Sequence, residues 1–105
     1  MTRVIFESPY AGDVERNIDY ARKCVRDSLS RGEAPIASHL LYTQDGILND
    51  DNTEERKWGI DAGLEWAKVA DVHVFYIDYG MSTGMKYAFD KCLENGEVFE
   101  TRKIL

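Results

Sequence analysis

The sequence has few of the features that mark disulfide-stapled, zinc-binding or membrane-spanning proteins. Its 105 residues include only two cysteines, Cys24 and Cys92, which are far apart and have no CxxC or CxxH neighbour. We therefore expect two buried thiols, with neither a disulfide framework nor a zinc site. No run of about 18 apolar residues, no signal peptide and no lipidation motif occurs, so we expect a cytoplasmic protein that does not bind membranes.

Basic residues are also in the minority. The chain has 13 Lys and Arg against 19 Asp and Glu, which gives a formal net charge of −6. Proteins that bind nucleic acid by neutralising phosphates need a basic stripe, and the one dense basic stretch, residues 22–26, is interrupted by apolar residues at helical spacing. We therefore expect no nucleic-acid partner. A small anionic ligand remains compatible with this charge, because a helix N-terminus binds phosphate in a protein of any net charge.

The remaining composition is that of one folded domain. Apolar residues make up 44% of the chain and charged residues 30%, which is too apolar for a disordered protein. Domains of about 100–150 residues are common, and a chain of this size buries a core without metal or disulfide staples. We therefore predict that residues 1–105 form a single domain.

Hydrophobic patterning predicts about four strands that alternate with three helices, in the order βαβαβαβ. The predicted strands are short, apolar and rich in β-branched or aromatic residues, at 4–6, 35–41, 72–77 and 98–101. The first predicted helix repeats apolar residues every three or four positions. The three predicted helices begin near capping candidates, which are Gly12 or Asp13, Asn52 or Thr53, and Ser82 or Thr83. This alternation is typical of an α/β fold with a small doubly wound parallel sheet, flavodoxin-like or Rossmann-like.

In such a sheet the ligand binds outside the carboxyl ends of the strands, where the strand order reverses. Three segments of this sequence are predicted to lie there, residues 8–13, 39–51 and 78–84. The polar, acidic stretch 43–53 has no predicted element, and a loop of that length is more often functional than idle. We therefore expect the ligand-binding residues in these segments.

Two of these segments open a helix with backbone amides and small polar side chains, which suits a phosphate, a carboxylate or the edge of a sugar. The candidate binding residues of the first segment are Ser8, Pro9, Tyr10, Ala11, Gly12 and Asp13. Those of the other segment are Ser82, Thr83, Gly84 and Met85. A plain strand-to-helix turn explains either segment alone, but two such turns after neighbouring strands favour one shared ligand.

Both histidines fall in or beside predicted strands. His39 lies at the predicted end of the second strand, in the layer where the ligand is expected. A structural histidine explains this position as well as a ligand contact or a proton-transfer group does. His73 lies inside the apolar strand, so we predict that it is structural or lies in an interface.

The sequence lacks the fingerprints of several catalytic classes. GxGxxG, the Walker P-loop and the GxSxG elbow are absent, and the acidic residues of the 43–53 stretch do not have EF-hand spacing. We therefore expect no cofactor and no metal. Carboxylates near the predicted ligand edge include Asp50, Asp51 and Asp78, and a pair of them could act on a glycosidic bond. The sequence does not select the pair.

The chain resembles the nucleoside 2-deoxyribosyltransferase-like superfamily, and is most similar to its small bacterial and phage members. The resemblance is carried by residues 8–13, by the stretch Pro35–Leu40 and by the strand after Asp71 that leads to Ser82–Met85. It implies a doubly wound fold that binds a nucleoside or nucleotide, with Tyr10 against the ligand and with His39 and Asp78 near its sugar or base. It also implies a homo-oligomer, since a neighbouring subunit can complete the pocket in that family.

One position departs from the resembled enzymes. They cleave or exchange the bond between base and deoxyribose with a glutamate in the helix after the central strand, and Ala88 occupies the matching position here. The resemblance therefore implies nucleotide or nucleoside binding without transferase activity, as in a protein that senses or sequesters a nucleotide-derived signal. Two alternatives stay open: an N-glycosidase or deoxyribosyltransferase that uses a displaced carboxylate, and an interaction protein without a ligand.

Overall fold

The short apolar stretches form strands, and the segments with helical periodicity form the helices between them. A computed structural model describes all residues from Met1 to Leu105. The strands are β1 (Thr2–Glu7), β2 (Glu33–Ile36), β3 (Val72–Tyr76) and β4 (Phe99–Arg102). The helices are α1 (Val14–Ser30), α2 (Ser38–Leu41), α3 (Thr53–Ala67) and α4 (Thr83–Glu94).

All four strands are parallel and lie in the order β2-β1-β3-β4. The chain runs from β1 to β2 on one side and then crosses to β3 on the other, so the strand order reverses between β1 and β3. Val4 pairs with Val72, and Glu7 at the end of β1 pairs with Phe75. The predicted α/β fold with a small doubly wound parallel sheet is confirmed, and its switch point lies at the carboxyl ends of β1 and β3.

The sheet buries side chains on both faces because successive residues of a strand point to opposite sides. One face of β1 and β3 packs against α1, and its core residues are Val4, Phe6, Val74, Tyr76, Tyr20 and Cys24. On the opposite face Phe75 packs with residues of α4 and with Leu64 of α3. The helices therefore cover both faces of the sheet and leave the strand ends open.

The second predicted strand is shorter than its sequence suggests. Strand β2 ends at Ile36, and the next residues form the one-turn helix α2, so His39 lies on a helix and its predicted place at the end of a strand is wrong. The N–H groups of Leu40 and Leu41 each donate to Ala37 O at 3.1 Å. Close packing supports the turn, because a Cβ at Gly63 of α3 would lie 2.3 Å from Ser38 Oγ.

Both cysteines are buried and unpaired, as predicted. Burial raises the pKa of Cys24 to about 12 and that of Cys92 to about 11, so both thiols are protonated at neutral pH. None of the four helices combines the length and the apolar character needed to cross a membrane.

Candidate functional site

A cavity of about 420 Å³ opens at the carboxyl ends of β1 and β3. This volume lies in the range of small-molecule sites, about 300–1,000 Å³. Its walls come from the end of β1, the loop before α1, helix α2 with its following loop, and the facing sides of α3 and α4. The predicted binding residues that line it are Ser8, Tyr10, Ala11, Gly12, His39, Ser82, Thr83, Gly84 and Met85.

Four predicted residues do not line this cavity: Pro9, Asp13, Asp51 and Asp78. The Asp13 carboxylate caps α1 by accepting from Arg16 N at 3.2 Å. The Asp78 carboxylate accepts from Tyr20 Oη at 2.6 Å and from the N–H groups of the last two residues. Burial alone raises the pKa of Asp78, but these hydrogen bonds outweigh it and lower the pKa below its ordinary value. The Asp78 carboxylate therefore holds elements of the fold together.

The loop before α1 lines the cavity and contains backbone N–H groups that have no partner in the protein. Asn17, whose side chain is buried, donates to Tyr10 O at 2.9 Å and to Ala11 O at 3.1 Å. The carbonyls are thereby fixed, while the N–H groups of Tyr10, Ala11 and Gly12 have no protein acceptor. Gly12 has φ +98°, a conformation that suits glycine. Such a row of amides favours an anion.

The start of α4 provides a second set of donors. Ser82 caps the helix, and its Oγ accepts from Met85 N at 3.2 Å. The amides of Thr83 and Gly84 belong to the first turn and have no partner inside the helix. Both residues line the cavity, so two helix N-termini border the same space. Their partial positive charge complements a phosphate or carboxylate.

Ser8 and His39 form a hydrogen-bonded pair in the cavity wall. Ser8 Oγ lies 2.6 Å from His39 Nε2, and the Phe6 ring packs edge-on against the imidazole at a centroid distance of 5.5 Å. Burial lowers the pKa of His39, so the ring is neutral at pH 7. A neutral imidazole lets the Ser8 hydroxyl act as donor or acceptor towards a ligand, depending on the tautomer.

Three charged residues that sequence reasoning did not select also line the cavity: Glu7, Glu55 and Arg56. Arg56 Nε lies 4.0 Å from Asp50 Oδ1, so the predicted carboxylate Asp50 lies in the cavity wall with a cation beside it. Glu7 was detectable in principle, because it is the last residue of β1 and immediately precedes the predicted segment 8–13.

His73 bridges two carboxylates below the cavity. Its Nε2 lies 3.1 Å from Glu7 Oε2 and its Nδ1 lies 2.9 Å from Glu97 Oε1, and the side chain is 1% exposed. Burial alone lowers the pKa of His73, but the hydrogen bonds and charges of Glu7 and Glu97 outweigh it and raise the pKa. His73, Glu97 and Cys92 offer three metal-ligand atoms within 4.8 Å of one another. The hydrogen bonds and the protonated thiol account for this arrangement without an ion.

The two histidines should contribute to stability with opposite pH dependences. The folded-state pKa of His39 lies below 6.5, so its contribution is present above about pH 6.5 and lost as pH falls. The folded-state pKa of His73 lies above 6.5. The contribution of His73 to stability is therefore present below about pH 6.5 and lost as pH rises through the folded-state pKa. In urea unfolding, His39→Asn is expected to cost more at about pH 8.5 than at about pH 6, and His73→Gln the reverse. Equal pH slopes for the two variants would contradict this assignment.

The apolar part of the cavity wall comes mainly from α3 and α4. Leu48 from the preceding loop, Ile60 and Leu64 of α3, and Met85 and Ala88 of α4 form it. Ligand pockets typically combine an apolar lining with a few placed polar groups, and this cavity has both. The bulky aromatic side chains of α3 lie elsewhere, with Trp58 67% exposed and Trp66 54% exposed. The homo-oligomer expected from the sequence stays a prediction.

Comparison with known proteins places the chain in a family. Residues 2–102 match the family described as Domain of unknown function (DUF7768). The chain belongs to this family. None of the curated proteins compared with it matches. Among solved structures, this member of the family resembles a 2-deoxyribosyltransferase from the psychrotolerant bacterium Bacillus psychrosaccharolyticus, with a TM-score of 0.63 and 17% sequence identity over 95% of this chain and 71% of that chain. At this identity the likeness shows a shared fold.

Proposed function

We propose that the cavity binds a nucleoside or nucleotide without exchanging its base. The observation that carries the second half of this proposal is Ala88, which is 2% exposed and lines the cavity. It stands where the resembled enzymes have a catalytic glutamate. A methyl group cannot form a covalent glycosyl intermediate, and loss of a covalent nucleophile removes most of the rate enhancement.

The distribution of groups around the cavity supports a nucleotide as the ligand. Two sets of free amides, at Ala11 and Gly12 and at Thr83 and Gly84, suit phosphate oxygens. The apolar wall suits a base, and the Tyr10 ring at the cavity edge provides an aromatic contact. The shared fold with a 2-deoxyribosyltransferase supports a nucleoside-related ligand. A protein with these properties senses or sequesters a nucleotide-derived molecule.

A second candidate function is hydrolysis of the base–sugar bond by a displaced carboxylate. Asp50 favours it, because it is the one predicted catalytic carboxylate that lines the cavity. The Arg56 guanidinium lies beside Asp50 and competes with a ligand for the carboxylate oxygens. Asp51 and Asp78 lie outside the cavity and do not support this candidate.

A ligand panel tests both functions. We expect nucleosides, nucleoside phosphates, cyclic nucleotides or ADP-ribose-type molecules to raise the melting temperature, because a ligand that binds only the folded state stabilises it by mass action. At a concentration 100 times Kd the stabilisation is about 2.7 kcal/mol. Chromatography of the same mixtures is expected to show no released base. Base release above background would support the glycosidase, and no thermal shift across the panel would favour an interaction protein.

A further inference from the structure

The Glu7 carboxylate has one oxygen hydrogen-bonded within the protein and one oxygen without a partner. Glu7 ends β1, lines the cavity and has a side chain 15% exposed. Its Oε2 lies 3.1 Å from His73 Nε2, whereas its Oε1 has no hydrogen-bond partner in the protein and is not a fully buried atom. A ligand in the cavity therefore meets a free acceptor at this position.

A hydrogen bond to His73 holds one oxygen of the Glu7 carboxylate in place. His73 hydrogen-bonds Glu7 through one ring nitrogen and Glu97 through the other, and its ring stacks on Phe75 at a centroid distance of 4.6 Å. An imidazole donates to two carboxylates only when both nitrogens are protonated. The raised pKa of His73 agrees with this state.

Two sets of polar groups in the cavity have opposite preferences. Glu7, Ser8, Ser38 and His39 come from the end of β1 and from α2, and they offer a negative charge, hydroxyls and an imidazole. The free amides of the α1 loop and of the α4 start offer donors only. Phosphate is attracted to the second set and repelled by the Glu7 carboxylate of the first, whereas sugar hydroxyls are donors that a carboxylate accepts well.

We propose that Glu7 Oε1 accepts a hydrogen bond from the 2′- or 3′-hydroxyl of the ligand's sugar, and that its charge excludes a phosphate from that position. This inference rests on the proposed nucleotide binding and deepens it, because it fixes which way round the ligand lies. The 5′-phosphate then faces the amides of the two helix N-termini. Glu7 acts as a specificity-determining residue, and the protein selects 5′- over 3′-phosphorylated ribonucleotides.

The test compares wild type with Glu7→Gln and Glu97→Gln by titration calorimetry. The probes are the 5′- and 3′-monophosphates of the four ribonucleosides. Wild type is expected to bind the 5′ isomer at least about tenfold more tightly than the 3′ isomer of the same base, since close like charges are costly. Glu7→Gln replaces the charged carboxylate with a neutral amide. It should therefore reduce the preference for the 5′ isomer to less than about threefold.

Glu97→Gln is the matched control. It removes the other carboxylate of His73, outside the cavity, so it weakens the same cluster but leaves the free oxygen of Glu7. We expect it to retain the full preference for the 5′ isomer. Loss of the preference in both variants, or in neither, overturns the role of Glu7 and leaves nucleotide binding standing. If wild type binds none of the ligands in the panel, both proposals fall.

A measurement on wild type alone covers the case in which Glu7→Gln does not fold. We compare the tightest 5′-monophosphate with its 2′-deoxy and 3′-deoxy analogues. Removing the hydroxyl that donates to Glu7 is expected to weaken binding at least about tenfold, because a hydrogen bond to a charged group is lost. The position that responds shows which hydroxyl is bound. Equal affinity of all three compounds overturns the proposal.

Discussion

Replacing Gly84 with aspartate is expected to abolish nucleotide binding while the fold stays intact. A Cβ built on Gly84 meets no atom within 4 Å, and this glycine does not have a positive φ. The new side chain therefore costs no steric strain. A carboxylate in the first turn of α4 is also favourable for the helix, by about 0.3–1 kcal/mol. The variant should melt at or above the wild-type temperature.

The loss of binding follows from charge. Gly84 lines the cavity at the start of α4, and two unit charges at 4 Å interact by about 4 kcal/mol at an effective dielectric constant of about 20. We expect the affinity for a 5′-monophosphate to fall at least about a hundredfold. Gly84→Asn is the control with the same size and no charge, and should lose much less. Equal losses in the two variants, measured by titration calorimetry, would point to steric blocking instead of repulsion.

Replacing Arg102 with leucine is expected to lower the free energy of unfolding by about 3 kcal/mol or more. The Arg102 side chain is 4% exposed and makes two hydrogen bonds of 2.8 Å to the Glu33 carboxylate. It also donates to Tyr76 Oη at 3.1 Å and to Glu100. Removing one partner of a buried ion pair leaves the other charge uncompensated, which costs about 3–5 kcal/mol.

The control for this prediction lies in the same cluster. The Glu100 side chain is 48% exposed, so Glu100→Gln should cost less than about 1 kcal/mol. For a domain of this size, 3 kcal/mol corresponds to a fall of at least about 12 °C in melting temperature. The hydrogen bonds from Arg102 lower the pKa of Glu33, so the wild-type advantage should shrink as pH falls through that folded-state pKa. A melting temperature unchanged by Arg102→Leu would refute the assignment.

The sequence predicted the sheet because its signals are local. Three helical segments that alternate with four short apolar strands were sufficient to predict a parallel sheet covered by helices. Helix α2 was not predictable in this way. It is four residues long, follows the β-like stretch Pro35–Ile36, and depends on the absence of a side chain at Gly63, which comes much later in the chain.

Long-range contacts also explain what sequence reasoning missed at the site. Asp78 was placed at the ligand edge because it follows the central strand, but the N–H groups of Ile104 and Leu105 occupy its oxygens. Glu7 lines the cavity, and its contact with His73 depends on the register of β1 against β3, in which Glu7 pairs with Phe75. Neither relationship is encoded in the spacing of neighbouring residues.

The strand order also bears on how the chain reaches its native state. Strand β1 precedes the other three strands in the chain, yet it is central in the sheet and pairs on one side with β2 and on the other with β3. The backbone pairing of β1 with β3 joins Val4 to Val72, so it forms only after residue 72 has been added to the chain. Loop closure over such a separation is slow, and parallel pairings between distant segments lengthen folding times. During synthesis on the ribosome, strand β1 therefore lacks its pairing with β3 until most of the domain has emerged.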